Sequence, residues 1–382
     1  MSGLENTSQV LLRQIERLLG SVLLVCPPID HCHAEIERTG RETTSICWDF
    51  QAFEAQHSAL SGAARDRCQF GVLQAETDSA EFQHAVLFMP KSKEVIELYL
   101  SLLGNVLARA EKVWLVGEKR EGIESAAKKL KKEGFGCIKL DSARHCQLWE
   151  ISLSDNFLGK SDNSLGKSDN NLGKMIERSL DSYWQPFTLD IPGWEPLELH
   201  SLPGVFSAGR LDDGTRLLLE CLQKPEFQND VVIGRTIAKV KGNRILDFGC
   251  GCGVVGLSMK RKWPEAQVEM VDVNALALES TRRSAANMGL DVSVYASDGL
   301  SQVASGLAAI VTNPPFHQGV KQDTRTTRQF LQDCRTRLIP GGTLTLVANR
   351  FLPYADWIED SLGNVSVIAE DTRYKVYHAK RQ

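Results

Sequence analysis

Between Ile245 and Gly256 the chain reads Ile-Leu-Asp-Phe-Gly-Cys-Gly-Cys-Gly-Val-Val-Gly, a short apolar run, then alternating glycines, then a helical pattern. Few folds accept this order. Glycines at Gly249, Gly251 and Gly253 permit positive φ and remove Cβ atoms, so that a ligand can lie against the backbone. The helix that follows turns its positive end and unpaired N–H groups toward the same spot. A nucleotide pyrophosphate is the usual guest of such a loop. Asp247, just ahead of the glycines, would repel phosphate and suits a ligand carrying a cationic amine.

The flanking sequence supplies the rest of such a fold. Strand-like runs fall at 244–248, 267–271, 292–296, 308–312 and 343–348, with helical patterns at 254–263, 275–288 and 327–338 between them. Asn274 is placed as an N-cap for the second helix, and Pro340-Gly341-Gly342 is expected to stop the third. Strands alternating with helices predict an α/β, mostly parallel sheet with helices on both faces. The closely spaced runs 365–369 and 374–379 predict a closing antiparallel hairpin.

Asp272 ends the second strand, 19 residues after Gly253, where a carboxylate takes ribose hydroxyls. Asp298 follows the third strand and can accept from an adenine amine. A lone Gly-x-Gly-x-Gly is weak evidence, and an Asp at a strand end is often only a helix cap. Three acids at successive strand ends, with the glycine loop, fit adenosine joined to an amino acid. That points to S-adenosyl-L-methionine, a class I methyltransferase cofactor. A nicotinamide dinucleotide is the competing ligand, disfavoured by Asp247 and by the motif after the fourth strand.

That motif is Asn313-Pro314-Pro315-Phe316. The prolines fix the backbone and offer no N–H, so the Asn313 side-chain carbonyl and the Pro314 main-chain carbonyl can aim at one amino group. Two acceptors orient its hydrogens and present its lone pair. An amine conjugated to a ring is a poor nucleophile, so alignment is the main contribution, worth about 7–11 kcal/mol in well-oriented reactions. Phe316 would stack on the ring. The chemistry needs no metal and no covalent intermediate.

The N-terminal half echoes this order of elements. A strand at 85–89, a helix at 93–110, a strand at 113–117, a helix at 121–134 and strands at 137–140 and 146–151 match the run from 308 to 379 one for one. Pro90-Lys91-Ser92-Lys93 stands in the place of the Asn-Pro-Pro-Phe turn, and the early strand 21–25 runs into Cys26-Pro27-Pro28 without a glycine loop. The reading is a duplicated Rossmann-like fold whose first copy has no cofactor site. Between the halves, 154–174 holds three tandem copies of Ser-Asp-Asn-x-Leu-Gly-Lys. A coiled coil needs a second apolar seam position that these copies lack, so an exposed linker is expected. The expected domains are therefore 1–153, a linker 154–182, and a catalytic domain 183–382.

Ten cysteines show no Cys-x-x-Cys spacing, and the group Cys26, His31, Cys32 and His33 has adjacent rather than facing ligands. Free thiols in a reducing cytoplasm are expected, with no metal. No secretory signal and no run of 18 apolar residues is visible, so no membrane association is expected. The net charge of −4 gives no global attraction to nucleic acid, and a polyanion must meet a local patch. Lys119, Arg120, Lys128, Lys129, Lys131 and Lys132 form one such cluster; Arg325, Arg328, Arg335 and Arg337 form another. A solvated helix face explains either alone; two flanking a base pocket suit phosphate contacts equally well.

With these motifs in place the chain resembles the amino-directed class I methyltransferases, and more closely the RsmC family of bacterial small-subunit ribosomal RNA guanine-N2 methyltransferases. The linked phrases carry the resemblance: Leu202-Pro203-Gly204-Val205-Phe206-Ser207 leading to Leu211-Asp212; Asn313 to His317 with Gly319; Val347-Ala348-Asn349 with Phe351-Leu352-Pro353-Tyr354; and Lys375-Val376-Tyr377. In the first half Pro90 to Lys93, Val116-Gly117-Glu118 with Arg120 and Gly122, and Asp141 to Arg144 are similar to the family as well. The resemblance implies two tandem class I methyltransferase domains, the N-terminal one degenerate. It also implies methyl transfer to N2 of one guanine in 16S rRNA, preferentially within the assembled small subunit. It places Asn313 to Phe316 in the amino pocket, and Asp247, the loop glycines, Asp272 and Asp298 at the cofactor. Two other readings stay open: an enzyme acting on another amine, in DNA or a protein glutamine, and a non-catalytic RNA-binding assembly module.

Overall fold

Strands that are apolar along their whole length need cover on both faces, and each half of the chain supplies it. The computed structural model describes residues 3–72, 81–90, 92–107, 110–153, 180–207, 209–223, 243–315 and 322–382, and divides into Met1–Trp184 and Gln185–Gln382. In the first unit β1 (Val22–Val25), β2 (Thr43–Cys47), β3 (Cys68–Phe70), β4 (Phe82–Phe88), β5 (Ala110–Glu118), β6 (Phe135–Ala143) and β7 (Cys146–Leu153) form one sheet. Its order is β3-β2-β1-β4-β5-β7-β6. Neighbours from β3 to β5 are parallel, while β7 runs antiparallel to both β5 and β6. Helices α1 (Asn6–Leu12), α2 (Cys32–Glu37), α3 (Phe50–Ser58), α4 (Gly62–Asp66), α5 (Ile96–Leu107) and α6 (Ile123–Lys132) pack against it.

The second unit opens with a two-stranded antiparallel pair, β8 (Gln185–Leu189) and β9 (Leu197–Ser201), then helix α7 (Asp213–Leu222). Its main sheet is built from β10 (Arg244–Phe248), β11 (Gln267–Asp272), β12 (Ser293–Ala296), β13 (Leu307–Thr312), β14 (Leu338–Asn349), β15 (Ser366–Glu370) and β16 (Tyr374–Lys380). The order is β12-β11-β10-β13-β14-β16-β15. Strand for strand this is the order of the first unit, which bears out the duplicated α/β fold and its closing hairpin. Helices α8 (Val254–Lys262), α9 (Ala275–Asn287), α10 (Gln322–Arg337) and α11 (Tyr354–Leu362) complete it.

Periodicity explains the packing. On α10 the residues Phe330, Leu331 and Cys334 recur at helical spacing and join Leu246, Phe248, Ile310 and Leu344 in one buried cluster. The Phe248 and Phe330 rings stack with centroids 4.4 Å apart. Full burial of such side chains stabilises by about 1.5–3 kcal/mol each.

Helix α10 ends at Arg337, just ahead of Pro340-Gly341-Gly342 as expected. The strand that follows begins at Leu338 rather than 343, so these three residues lie inside β14, which pairs with β13 from Leu307↔Leu338 and again from Ala309↔Thr343. The register shift between those pairs absorbs the extra residues. A Cβ at Gly342 would sit 2.9 Å from the Ile339 carbonyl and 3.1 Å from that of Leu307, so this bulge admits only glycine there. The helix also begins at Gln322 rather than 327.

In the first unit no glycine loop follows the first strand. Cys26 follows β1 at φ 55 and leads into Pro27-Pro28. The Asp30 carboxylate then closes the turn on itself, accepting from the N–H of Glu5 and Cys32 and from Gln56 Nε2. Trp48, just beyond β2, packs edge-on against Tyr99 at 5.6 Å, and the Tyr99 hydroxyl donates to the Val25 carbonyl at 3.1 Å. The repeat 154–174 lies outside the described residues. Among the described residues no helix is long and apolar enough to cross a membrane.

Candidate functional site

The parallel strands β12, β11, β10 and β13 lie side by side, so their carboxyl ends form one edge. Asp247 lies in β10 opposite Met270 and Val311, Asp272 closes β11 opposite Ala296, Asp298 follows β12 by two residues, and Asn313 directly follows β13. The structure thus brings the three acids and the asparagine to one sheet edge. A crevice there is lined by Asp247, Gly249, Val255, Asn313, Thr215 and Phe206, among others.

Each glycine of the loop is required by its own geometry. Gly249, Gly251 and Gly253 adopt φ 68, 55 and 95. A Cβ on Gly249 would reach 3.2 Å from Pro315 Cδ, and one on Gly253 would clash with Leu257 Cδ1 at 2.8 Å. The loop is therefore a cradle of bare backbone whose neighbours leave little room for side chains. It is also where the glycine loop meets the proline turn, because Pro315 packs directly over Gly249.

Asp247 is buried at the base of the cradle, and its carboxylate accepts from the Gly256 N–H at 2.8 Å. Burial pushes its pKa up to about 7, with the nearby Asp272 adding to the rise and the Gly256 bond opposing it. Asp272 is half-buried and held at both oxygens: one accepts from the Asn274 N–H at 2.9 Å, the other from Gly251 N–H at 3.1 Å. Asn274 in turn caps α9 by accepting from the Leu276 N–H, as its sequence position predicts. A fixed carboxylate at a strand end beside a glycine cradle fits the vicinal hydroxyls of a ribose. Asp298 is half-buried at the neighbouring strand end.

Asn313 is tied down from a helix that the strand pattern did not reveal. Its Nδ2 donates to Asp212 Oδ2 and to Thr215 Oγ1, both at 2.9 Å. Asp212 caps α7 by accepting from the Thr215 N–H at 3.0 Å. The spacing Asp-x-x-Thr before an apolar run is an N-cap signal and could have located the helix; nothing local could have named Asn313 as its partner. Pro314 is buried and Pro315 exposed; Phe316, with His317 and Gly319, lies outside the described residues.

Buried hydroxyls of α9 hold the remaining wall. Ser280 and Ser284, four residues apart on one face, accept from the N–H groups of Leu202 and His200. Thr281 donates to the Gly251 carbonyl at 2.9 Å. Together they fix the segment that ends at Phe206, whose carbonyl lies 3.4 Å from the Cβ position of Gly251 and whose side chain is about half exposed. Cys250 and Cys252 are buried, and burial pushes the Cys252 thiol up to about 12, so they pack as small apolar groups. No group of three His, Cys, Asp or Glu side chains among the described residues is placed to hold a metal ion.

Of the basic clusters, Arg325, Arg328 and Arg335 are exposed on α10 and Arg337 is half-buried; Lys128, Lys131 and Lys132 are exposed on α6 and Lys129 is half-buried. Arg328 and Arg335 line a cavity of about 330 Å³ between α10 and α11, with Gln332, Trp357, Asp360 and Ser361. The Arg328 guanidinium lies over the Trp357 ring at 5.7 Å.

Residues 196–378 match the family described as methyltransferase small domain, and residues 8–159 match its N-terminal companion, methyltransferase small domain N-terminal. The chain is 47% identical over 381 residues to ribosomal RNA small subunit methyltransferase C of Hahella chejuensis, covering all of both chains. It is 39% identical to the protein of that name from Pseudomonas syringae pv. syringae, over 98% of each. Among solved structures, one described as T. Thermophilus 16S rRNA N2 G1207 methyltransferase (RsmC) in complex with AdoMet and guanosine superposes with a TM-score of 0.75. It covers 99% of this chain and 92% of that one at 22% identity, a likeness of fold.

Proposed function

The chain belongs to the ribosomal RNA small subunit methyltransferase C family, and from that membership we propose that its second unit methylates 16S rRNA. The methyl comes from S-adenosyl-L-methionine, and the acceptor is the exocyclic N2 amine of one guanine, reached on the assembled small subunit. The observation that carries this reading is the meeting of Asn313 with Asp247 and Gly249 in one crevice at the carboxyl edge of β10 and β13.

When bound, S-adenosyl-L-methionine supplies an electrophilic methyl group on sulfur. Gly249, Gly251 and Gly253 admit it against the backbone, Asp272 takes the ribose hydroxyls and Asp298 the adenine amine. Asp247 meets the cationic amine of its amino-acid end. Asn313 and Pro314 orient the guanine amine, with Phe316 against the base. Alignment is the chemical task, because an amine conjugated to a ring is a poor nucleophile. As its N–C bond forms the S–C bond would break, leaving S-adenosylhomocysteine, and the nitrogen's extra proton passes to solvent. A guanine within a helix must leave its stack, which costs a few kcal/mol. The exposed arginines of α10 can offset that through phosphate contacts, which a chain of net charge −4 must make locally.

The test is transfer of labelled methyl to unmethylated small subunits, naked 16S rRNA, DNA and a glutamine-containing protein substrate, with Asn313→Ala alongside. Transfer to guanine N2 on small subunits, lost in the variant while S-adenosylhomocysteine still binds, is the expected result. Labelling of DNA or protein instead, or near-normal turnover of Asn313→Ala, would overturn the reading.

A further inference from the structure

The amide of Asn313 can face the crevice in two ways, and only one offers an oxygen to an amine. The choice is made at the start of α7, by Asp212 and by Thr215, which also lines the crevice. Asp212 is a carboxylate, an acceptor with no proton to give, and its Oδ2 stands 2.9 Å from one end of the Asn313 amide. That end must therefore be the Nδ2 donor. A second acceptor, Thr215 Oγ1, stands at the same 2.9 Å. The two N–H bonds of the Asn313 amide thus have two partners, and Oδ1 is left as the acceptor of the side chain.

We infer that Asp212 and Thr215 are positioning residues for methyl transfer, a clamp that sets which face of the Asn313 amide meets the substrate amine. This rests on the proposed role of Asn313. The clamp is itself rigid: Asp212 is the N-cap of α7, and Thr215 N–H donates to the same Oδ2 that receives Asn313. One oxygen thus fixes the start of a helix and the orientation of the asparagine. Gly214 between them keeps the space open, since a Cβ there would lie 3.1 Å from Asp212 Oδ2 and 3.2 Å from the Tyr374 ring.

Three substitutions separate positioning from capping. Asp212→Ser keeps an N-cap hydroxyl for Thr215 N–H but is too short to hold Asn313 as well. Asp212→Ala loses both bonds. In Asp212→Asn the Thr215 N–H selects the amide oxygen, which can then accept from Asn313 as the carboxylate does. With unmethylated small subunits as substrate, Asp212→Ser is expected to melt within a few degrees of the wild type. Its kcat should fall on the order of 100-fold, as for a reacting group displaced by about an ångström, with KM and S-adenosylhomocysteine affinity nearly unchanged. Asp212→Asn should restore most of that turnover, and Thr215→Val should lower kcat by a smaller factor.

If kcat instead follows melting temperature through the series, so that Asp212→Ser is as active as the wild type, Asp212 is only a helix cap and the inference fails. Asn313→Ala, measured in parallel, separates the two failures. An inactive Asn313→Ala beside a fully active Asp212→Ser would sink the clamp alone. An active Asn313→Ala would sink the assignment of Asn313 and the clamp with it.

Discussion

Gly249 lies directly beneath Pro315, so close that a Cβ on the glycine would sit 3.2 Å from the proline Cδ. The glycine loop and the proline turn are therefore in contact and not merely at the same sheet edge. Gly249→Ala should strain the loop twice, by placing an L side chain at φ 68 and by pressing on the turn. A loss of about 1–2 kcal/mol in stability is expected from the backbone alone. Calorimetric titration with S-adenosylhomocysteine should show affinity reduced about tenfold or more, each factor of ten being about 1.4 kcal/mol. Wild-type binding by this variant would mean that the ligand does not use the loop.

Asp247 is expected to make binding at the proposed cofactor site depend on pH. Its folded pKa of about 7 lies above its ordinary value of 3.8. The folded chain thus keeps a proton that the unfolded chain releases. The associated stability is complete below the ordinary pKa and is lost as pH rises toward 7. Binding a cationic amine needs the charged form. S-adenosylhomocysteine affinity is expected to weaken about tenfold from pH 8 to pH 6, because each unit below the pKa leaves a tenth as much carboxylate. Asp247→Asn should bind weakly at both pH values, without that slope.

The first unit should not bind cofactor. Cys26 stands where Gly249 stands, at φ 55 after the first strand, and its N–H donates to Ile46 as that of Gly249 donates to Val271. Cys47 takes the place of Asp272 at the end of the neighbouring strand, and the next residue, Trp48, packs edge-on against Tyr99. Titration of the full chain should give one S-adenosylhomocysteine per chain. A second equivalent, surviving Gly249→Ala, would show that the first copy is not degenerate.

Arg328 and Arg335 are exposed on α10, the next described element after the proline turn. Replacing both by alanine is expected to weaken RNA binding and to reduce the slope of log affinity against log salt by about one to two, roughly one for each phosphate no longer neutralised. S-adenosylhomocysteine binding should not change. An unaltered salt slope would remove this face from the RNA interface.

The sequence by itself determined what depends on neighbouring residues. Alternating strands and helices, the left-handed glycines after β10, the Asn274 cap and the rigid Asn313-Pro314-Pro315 turn are all set by local φ restrictions and side-chain periodicity. The closing hairpin and the duplicated order followed from the same local signals. Only the tertiary structure decided which groups those features meet. The partners of Asn313 are 101 and 98 residues away, on a helix whose cap is readable but whose position is not. Pro340-Gly341-Gly342 reads locally as a helix stop, and the helix does end at Arg337, but its recruitment by β13 as a bulge in the sheet is a tertiary event. The pKa of Asp247 rises because the folded protein surrounds it, and no spacing along the chain encodes the depth of a buried carboxylate.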